Sequence, residues 1–237
     1  MLFEWTEKKI ELYVRASRQT GFHKRLAEYV IPYLKKEDEI SDIGCGPGLI
    51  DIELSRYVKS IRAVDIEPLV IDYLSKSIIE ANIDNVFPHL ADAEKLETNI
   101  GDVVLFCYFN SVSENMCRLI DDAKRLAIII MHGDNTAKKP SKISANIRKP
   151  YATEMENMLT ERGYSFTKTA LALDFSQPLK TTAEAVEFLN MYCTETDPML
   201  RKTKLDEGIL NLRERNDSEY SFIVPSTKDV AIFIVTK

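Results

Sequence analysis

The sequence predicts an α/β fold in which a doubly wound, mostly parallel sheet carries helices on both faces. Three observations lead there. From Glu39 to Phe175, strand-like runs alternate with amphipathic helical ones, the rhythm of a parallel sheet joined by crossover helices. Two of those runs, DVVLFCYF and RLAIIIMH, are apolar almost throughout, as strands are when both faces of their sheet are covered. A loop dense in glycine, GCGPG, follows the first run and opens the first crossover helix.

Two helices come before the sheet. In the second, Phe22, Leu26, Ala27, Val30, Ile31 and Leu34 recur at three- and four-residue steps and form one apolar stripe, with Pro32 placed to kink or shorten it. EISDIG is the first strand, and the helix after the glycines carries Leu49, Ile50, Leu54, Tyr57 and Val58 on one side. IRAVDI is the second strand. Glu67-Pro68 opens the next helix with proline at its tolerated first position, and Ile71, Leu74 and Ile78 form the packing side. NVFPHLA is a weaker third strand whose Pro88 suits an edge.

DVVLFCYF is the fourth strand, and Ser111-x-x-Glu114 reads as a capping box for the helix running to Lys124. RLAIIIMH is the fifth. A polar stretch follows, then a helix from Pro150 that Gly163 stops, then SFTKTALAL as the sixth strand. There the rhythm breaks. Thr181-x-x-Glu184 caps a helix bearing Val186, Leu189 and Tyr192, and Asp197-Pro198 starts another with Leu205, Ile209 and Leu212 on its apolar side. The end, YSFIVPSTKDVAIFIVTK, holds two β-rich runs around a polar turn. No repeat or linker divides the 237 residues. One domain is therefore expected, made of N-terminal helices (1–37), a core (38–175), a helical insertion (176–219) and terminal strands (220–237).

Composition is that of an ordinary globular chain, 45% hydrophobic and 29% charged. The net charge of −6 argues against a nucleic-acid partner, because phosphate binding draws much of its affinity from a basic surface. A local patch remains open. The stretch Ala137–Pro150 contains Lys138, Lys139, Lys142, Arg148 and Lys149 without an acid, which suits an anionic acceptor as well as a plain solvated loop. No apolar run reaches the roughly 18–20 residues needed to cross a bilayer, and the N-terminus has no secretory pattern. Cys45, Cys107, Cys117 and Cys193 form no C-x-x-C pair, and no histidines stand at metal-ligand spacing. Free thiols in a cytoplasmic protein without a metal, monomeric or homodimeric, are expected.

The chemistry concentrates at the C-terminal ends of the first three strands, where open α/β sheets bind ligands. The first site is Asp42-Ile43-Gly44-Cys45-Gly46-Pro47-Gly48, whose glycines let backbone approach a ligand closely. The second is Asp65, placed to accept from both ribose hydroxyls of an adenosine or to cap the following helix. The third is Ala91-Asp92-Ala93, where a carboxylate suits either an adenine amine or a turn. Glycine spacing separates the ligands. A dinucleotide fingerprint, G-x-G-x-x-G/A, would need glycine or alanine where Leu49 stands, and here the third glycine comes one residue early, at Gly48. The lysine and hydroxyl residue of a P-loop are missing.

DIGCGPG resembles motif I of class I S-adenosylmethionine-dependent methyltransferases, (D/E)-x-G-x-G-x-G. AVDIEP resembles their following acidic motif, ADAEKL the adenine-side motif, and AIFIVTK the terminal antiparallel strand. The resemblance implies the sheet order 3-2-1-4-5-7-6 and S-adenosyl-L-methionine as cofactor. It places Gly44, Cys45, Gly46 and Gly48 against the methionine part, Asp42 near the amino group, and Asp65 on the ribose. Ile66, Asp92 and Ala93 would flank the adenine, with Cys107, Tyr108, Phe109 and Asn110 near the transferable methyl.

Methyl transfer needs alignment of a nucleophile more than a catalytic cluster, so no triad or metal is expected. A base is required only if the nucleophile arrives protonated, and His132 and His23 are the candidates. Tyr13, Phe22, Met191 and Tyr192, on the N-terminal helices and the insertion, are expected to enclose a small or medium-sized acceptor. Three other readings stay open: a NAD(P)-dependent oxidoreductase, a transferase using the decarboxylated cofactor, and a non-catalytic S-adenosylmethionine-binding regulatory protein.

Overall fold

A computed structural model describes residues 4–96, 100–109, 112–134, 152–193, 195–214 and 219–237. The main sheet is formed by Glu39–Ile43 (β1), Ser60–Asp65 (β2), Val86–Leu90 (β3), Val103–Cys107 (β4), Leu126–His132 (β5), Ser165–Asp174 (β6) and Thr227–Thr236 (β10). Its order is β3-β2-β1-β4-β5-β10-β6, and β10 runs antiparallel to both neighbours while the other pairs are parallel. Because β10 is the seventh strand of this sheet, that is the order 3-2-1-4-5-7-6. Pro88 lies in β3, the edge strand, where its missing N–H interrupts no second ladder.

Helices cover both faces. On one lie Phe22–Val30 (α2), Leu49–Leu54 (α3) and Pro68–Glu80 (α4), packed through Leu26, Leu54 and Leu74 onto Ile40, Leu105 and Ile128. On the other, Glu114–Asp122 (α5) and Ala152–Glu161 (α6) pack through Leu119 and Leu159 onto Val104, Phe106 and Phe233. Glu7–Thr20 (α1) precedes α2, and its Ile10 and Val14 meet Val70 of α4. Pro32 ends α2 at Val30, and Ile31–Tyr33 continue as one 3₁₀ turn.

Two local expectations are corrected. α5 is capped by Ser113, whose side chain accepts from the Met116 N–H, in place of the predicted Ser111, which lies outside the described residues. The insertion is also not purely helical. Alongside Thr182–Tyr192 (α7) and Pro198–Leu210 (α8) it holds Gln177–Leu179 (β7) and Arg213–Glu214 (β8). These pair with Phe222–Val224 (β9), the first of the two terminal runs, in a separate antiparallel sheet of order β7-β9-β8.

One buried ion cluster ties this insertion to α1. Both Glu184 oxygens accept from Arg15 Nη1 at 2.9 Å, and the carboxylate also accepts from Lys8 Nζ (3.2 Å) and the Lys180 N–H (2.6 Å). The Arg15 and Glu184 side chains are only 9% and 12% exposed, so the pair is shielded from water. Burial pushes the Glu184 carboxyl up, but the Lys180 N–H, Arg15 and Lys8 together outweigh it and hold it below the ordinary range. Glu184→Ala leaves the Arg15 guanidinium only the Glu11 carboxylate and the Pro178 carbonyl as acceptors, and a loss of about 1–2 kcal/mol is expected, roughly 3–6 °C in melting temperature. For a carboxyl whose folded pKa is lowered, the contribution is complete above its unfolded pKa and fades as pH falls toward the folded one. The gap between wild type and Glu184→Gln should therefore close on acidification below the ordinary glutamate range. Thermal melts across that range check it, and a gap that widens in acid contradicts the assignment.

Candidate cofactor and active site

Strand pleating gathers the chemistry on one face. Alternate residues of a strand share a side, so Asp42 falls with Ile40, Cys107 with Leu105 and His132 with Ile130, all toward α2 and α3. β10 runs the other way, which brings its beginning to the same end of the sheet. Lys228 shares the side of Val230, which stands opposite His132.

The glycine loop is held by backbone bonds to the end of β2. The N–H groups of Gly44 and Cys45 both donate to the Val64 carbonyl (2.8 and 2.9 Å), and the Gly48 N–H donates to the Cys45 carbonyl (3.1 Å). Asp65 straps the loop from the side: Oδ2 accepts from the Gly46 N–H at 2.8 Å and Oδ1 from the Glu67 N–H at 2.9 Å. Each carboxylate oxygen keeps a second lone pair for a ligand hydroxyl. Gly44, Gly46 and Gly48 all have positive φ. A Cβ on Gly44 would stand 2.6 Å from Phe109 Cδ2, and one on Gly46 would stand 3.6 Å from Trp5 Cζ2. Phe109 and Trp5 therefore lie against the loop.

Behind the loop, Asp42 and Asp51 are both fully buried, Asp51 projecting from α3 toward β1. None of their four oxygens meets a donor. Burial first, and then the Asp51 and Asp65 charges, drive the Asp42 carboxyl well above the usual range, while burial pushes Asp51 up to about 7. Burial followed by the same acids raises the neighbouring thiols Cys45 and Cys107, so both stay protonated at neutral pH.

At the end of β2 the Ile66 side chain is 50% exposed, an apolar surface left open beside the loop. Asp92 caps a 3₁₀ turn over Ala93–Lys95, accepting from the Glu94 N–H at 3.0 Å, and pairs with Lys95 at 3.2 Å. The carboxylate thus fills its own turn, while the Ala93 backbone lies at the turn's start.

At the end of β4, Tyr108 has φ +56, a left-handed backbone that a bulky residue adopts only when its surroundings enforce it. Its ring lies 4.8 Å from His132 and 6.2 Å from Phe22, and its buried hydroxyl has no hydrogen-bond partner. Burial keeps that hydroxyl protonated, leaving a donor in search of an acceptor. Around it, Lys228 Nζ sits 4.0 Å from the Phe175 ring centroid, 5.1 Å from Tyr108 and 5.7 Å from Tyr13.

His23 is unsuited to act as the base. Its Nδ1 meets Ser17 Oγ at 2.6 Å and its Nε2 meets Tyr13 Oη at 3.1 Å, and burial with the Lys228 charge pushes it down to about 3. Phe22 is wholly buried, its ring against Tyr108, His23 and Phe175, and Met191 packs against the cluster of Leu12, Leu179 and Ala185. Asn110 and the basic stretch Ala137–Pro150 lie outside the described residues.

Sequence reasoning missed Asp51, Trp5, Phe175 and Lys228. Asp51 did leave a signal, a carboxylate three residues before Leu54 on the inward arc of α3. The other three reach the site only through tertiary packing.

An open sheet with a glycine loop, an acid at the end of the second strand and an antiparallel seventh strand defines the Rossmann-like methyltransferase class. A profile described as a methyltransferase domain matches residues 41–128. The ribosomal protein L11 methyltransferase of Clostridium perfringens is 26% identical over 123 residues, covering 50% of this chain and 38% of that protein. A probable cobalt-precorrin-6B C(15)-methyltransferase (decarboxylating) of Methanococcus vannielii is 38% identical over 63 residues, 27% of this chain and 35% of that one. The chain thus spans well under half the length of the curated relatives it matches. Among solved structures, a putative methyltransferase from Bacillus halodurans superposes with a TM-score of 0.60 at 14% identity, covering 92% and 99% of the two chains. The magnesium protoporphyrin IX methyltransferase of Synechocystis, solved with bound S-adenosylhomocysteine, gives 0.55 at 11% identity, covering 100% and 90%. Residues 41–128 thus match a methyltransferase domain, set in the fold shared with class I S-adenosylmethionine-dependent methyltransferases. Among the described residues, no helix is long and apolar enough to cross a membrane, and no cluster of three metal-ligating side chains occurs.

Proposed function

We propose that this domain transfers the methyl group of S-adenosyl-L-methionine to a small or medium-sized acceptor by in-line displacement. The observation that carries the reading is the strapped glycine loop, with Asp65 binding the Gly46 N–H and keeping lone pairs free for ribose hydroxyls. The residues present fit the cofactor piece by piece. Gly44, Cys45, Gly46 and Gly48 offer close backbone to its methionine end, and Asp42 offers buried carboxyl oxygens without a donor to its ammonium. Ile66 offers an apolar face to adenine, with Asp92 and the Ala93 backbone at its rim.

The bound cofactor supplies an activated methyl on a sulfonium, and the chain's task is then to hold and orient the acceptor. Tyr108, Tyr13 and Phe175 gather around Lys228 at the end of β4, beside Cys107 and His132, and are the side chains proposed to line the acceptor's place. The Tyr108 hydroxyl donates to an acceptor atom there, and His132 takes its proton where one must leave. Asn110, next after Phe109 in the sequence, is proposed to assist from its place in the motif alone. Aromatic side chains closing around an acceptor would exclude water, and such a lining suits a compact acceptor better than a long polymer.

Calorimetric titration with S-adenosylhomocysteine, with NADH as control, tests the cofactor. Binding of the first in the micromolar range and none of the second is expected. Preference for NADH sinks the reading and leaves only the fold.

A further inference from the structure

The four donorless oxygens of Asp42 and Asp51 demand an explanation. A buried ionised carboxylate without a partner costs several kcal/mol, so proteins pair such groups or leave them protonated. Here the two carboxyls face each other, both fully enclosed, beside the loop. α3 turns Ile50 and Leu54 inward as well, so an aliphatic residue would have served for packing. What the pair lacks is a donor, and a group with several N–H donors and a positive charge would satisfy it. Resting on the cofactor reading above, we propose that Asp51 joins Asp42 in a two-carboxylate receptor for the cofactor's α-ammonium, the pair sharing a proton when ligand-free and giving it up on binding.

The balance is simple. One carboxylic O–H breaks, its proton leaves to solvent, and ammonium N–H···O bonds replace it directly or through one bridging water. The surroundings favour a held proton in the free protein. Asp65 faces Asp42 from the end of β2, while Cys45 in the loop and Cys107 at the end of β4 are neutral thiols. Lys228, from β10, acts on Cys107. Arrival of a cation reverses that preference, so proton and ammonium compete for one site.

Two ligands separate this role from a structural one: S-adenosylhomocysteine, which carries the ammonium, and 5′-methylthioadenosine, which lacks the amino-acid end. Asp51→Asn should weaken the first by about tenfold or more and change the second by less than about twofold. Its melting temperature should hold or rise, since the amide gives Asp42 a donor. In wild type, titrations near pH 6 in buffers of different ionisation enthalpy should show release of about one proton, with affinity rising toward pH 8 by up to about tenfold per unit. Equal weakening of both ligands, unchanged S-adenosylhomocysteine affinity in the variant, or proton-neutral binding in wild type overturns the proposal while leaving the cofactor assignment intact. Failure of the wild type to bind S-adenosylhomocysteine at any pH removes both.

Discussion

Asp65→Ala is expected to weaken S-adenosylhomocysteine binding by about a hundredfold, near 2.7 kcal/mol. The side chain does two jobs with one pair of oxygens. It fixes the loop, through the Gly46 N–H at 2.8 Å, and the start of α4, through the Glu67 N–H at 2.9 Å. Hydrogen bonds to a charged acceptor contribute roughly 1.5–3 kcal/mol each, and truncation frees both donors. A ribose would lose its acceptor at the same moment. The two losses fall on one ligand because the strap also positions the loop. Asp65→Asn should lie between, since its amide keeps one acceptor oxygen and sets an N–H against the other donor. Calorimetry on both variants, with melting curves beside it, measures the effect. Alanine within about threefold of wild type would mean that the carboxylate is only a helix cap, the alternative that the sequence left open.

The parts of this fold that follow local rules were legible in the sequence. Short apolar strand runs and helical stripes at three- and four-residue steps placed each crossover element, and Pro88 marked the edge strand before any pairing was known. The loop and Asp65 were legible because their chemistry is written contiguously, strand to turn to helix. Ser113 was missed because two serines lie within reach of the same helix start, and only the extended backbone at Ser113, φ −142, selects the cap. β9 was taken with the terminal run because its sequence is strand-like in any sheet. Its partner β7 lies two helices earlier in the chain, and β8 is only two residues long. Lys228 and Phe175 belong to strand ends that meet only when β10 inserts antiparallel beside β6, where Lys228 stands opposite Leu173. Such juxtapositions carry no signature in the order of residues.

The three loop glycines should fail in a graded order when replaced by alanine, because the added Cβ meets a different neighbour at each. At Gly48 it would lie 2.4 to 2.9 Å from three Leu74 side-chain carbons, on a backbone with φ +67. Leu74 is fully buried in α4 and has no room to withdraw. Left-handed strain of about 1 kcal/mol plus overpacking of about 1–3 predicts a loss of roughly 2–4 kcal/mol, or about 6–12 °C in melting temperature. At Gly44 the clash is with Phe109, 2.6 Å away, a half-buried ring that turns aside more cheaply. The smaller stability loss there comes with a ring displaced across the cradle, and hence with lost ligand affinity. At Gly46 the nearest atom is Trp5 Cζ2 at 3.6 Å, so only the strain of φ +54 remains. Gly46→Ala should therefore melt within a few degrees of wild type, and any large fall in its S-adenosylhomocysteine affinity then reports a methyl group standing where the ligand lies. Equal melting losses at all three positions would contradict the packing that distinguishes them. A Gly46→Ala protein that binds as wild type would place the ligand away from this loop.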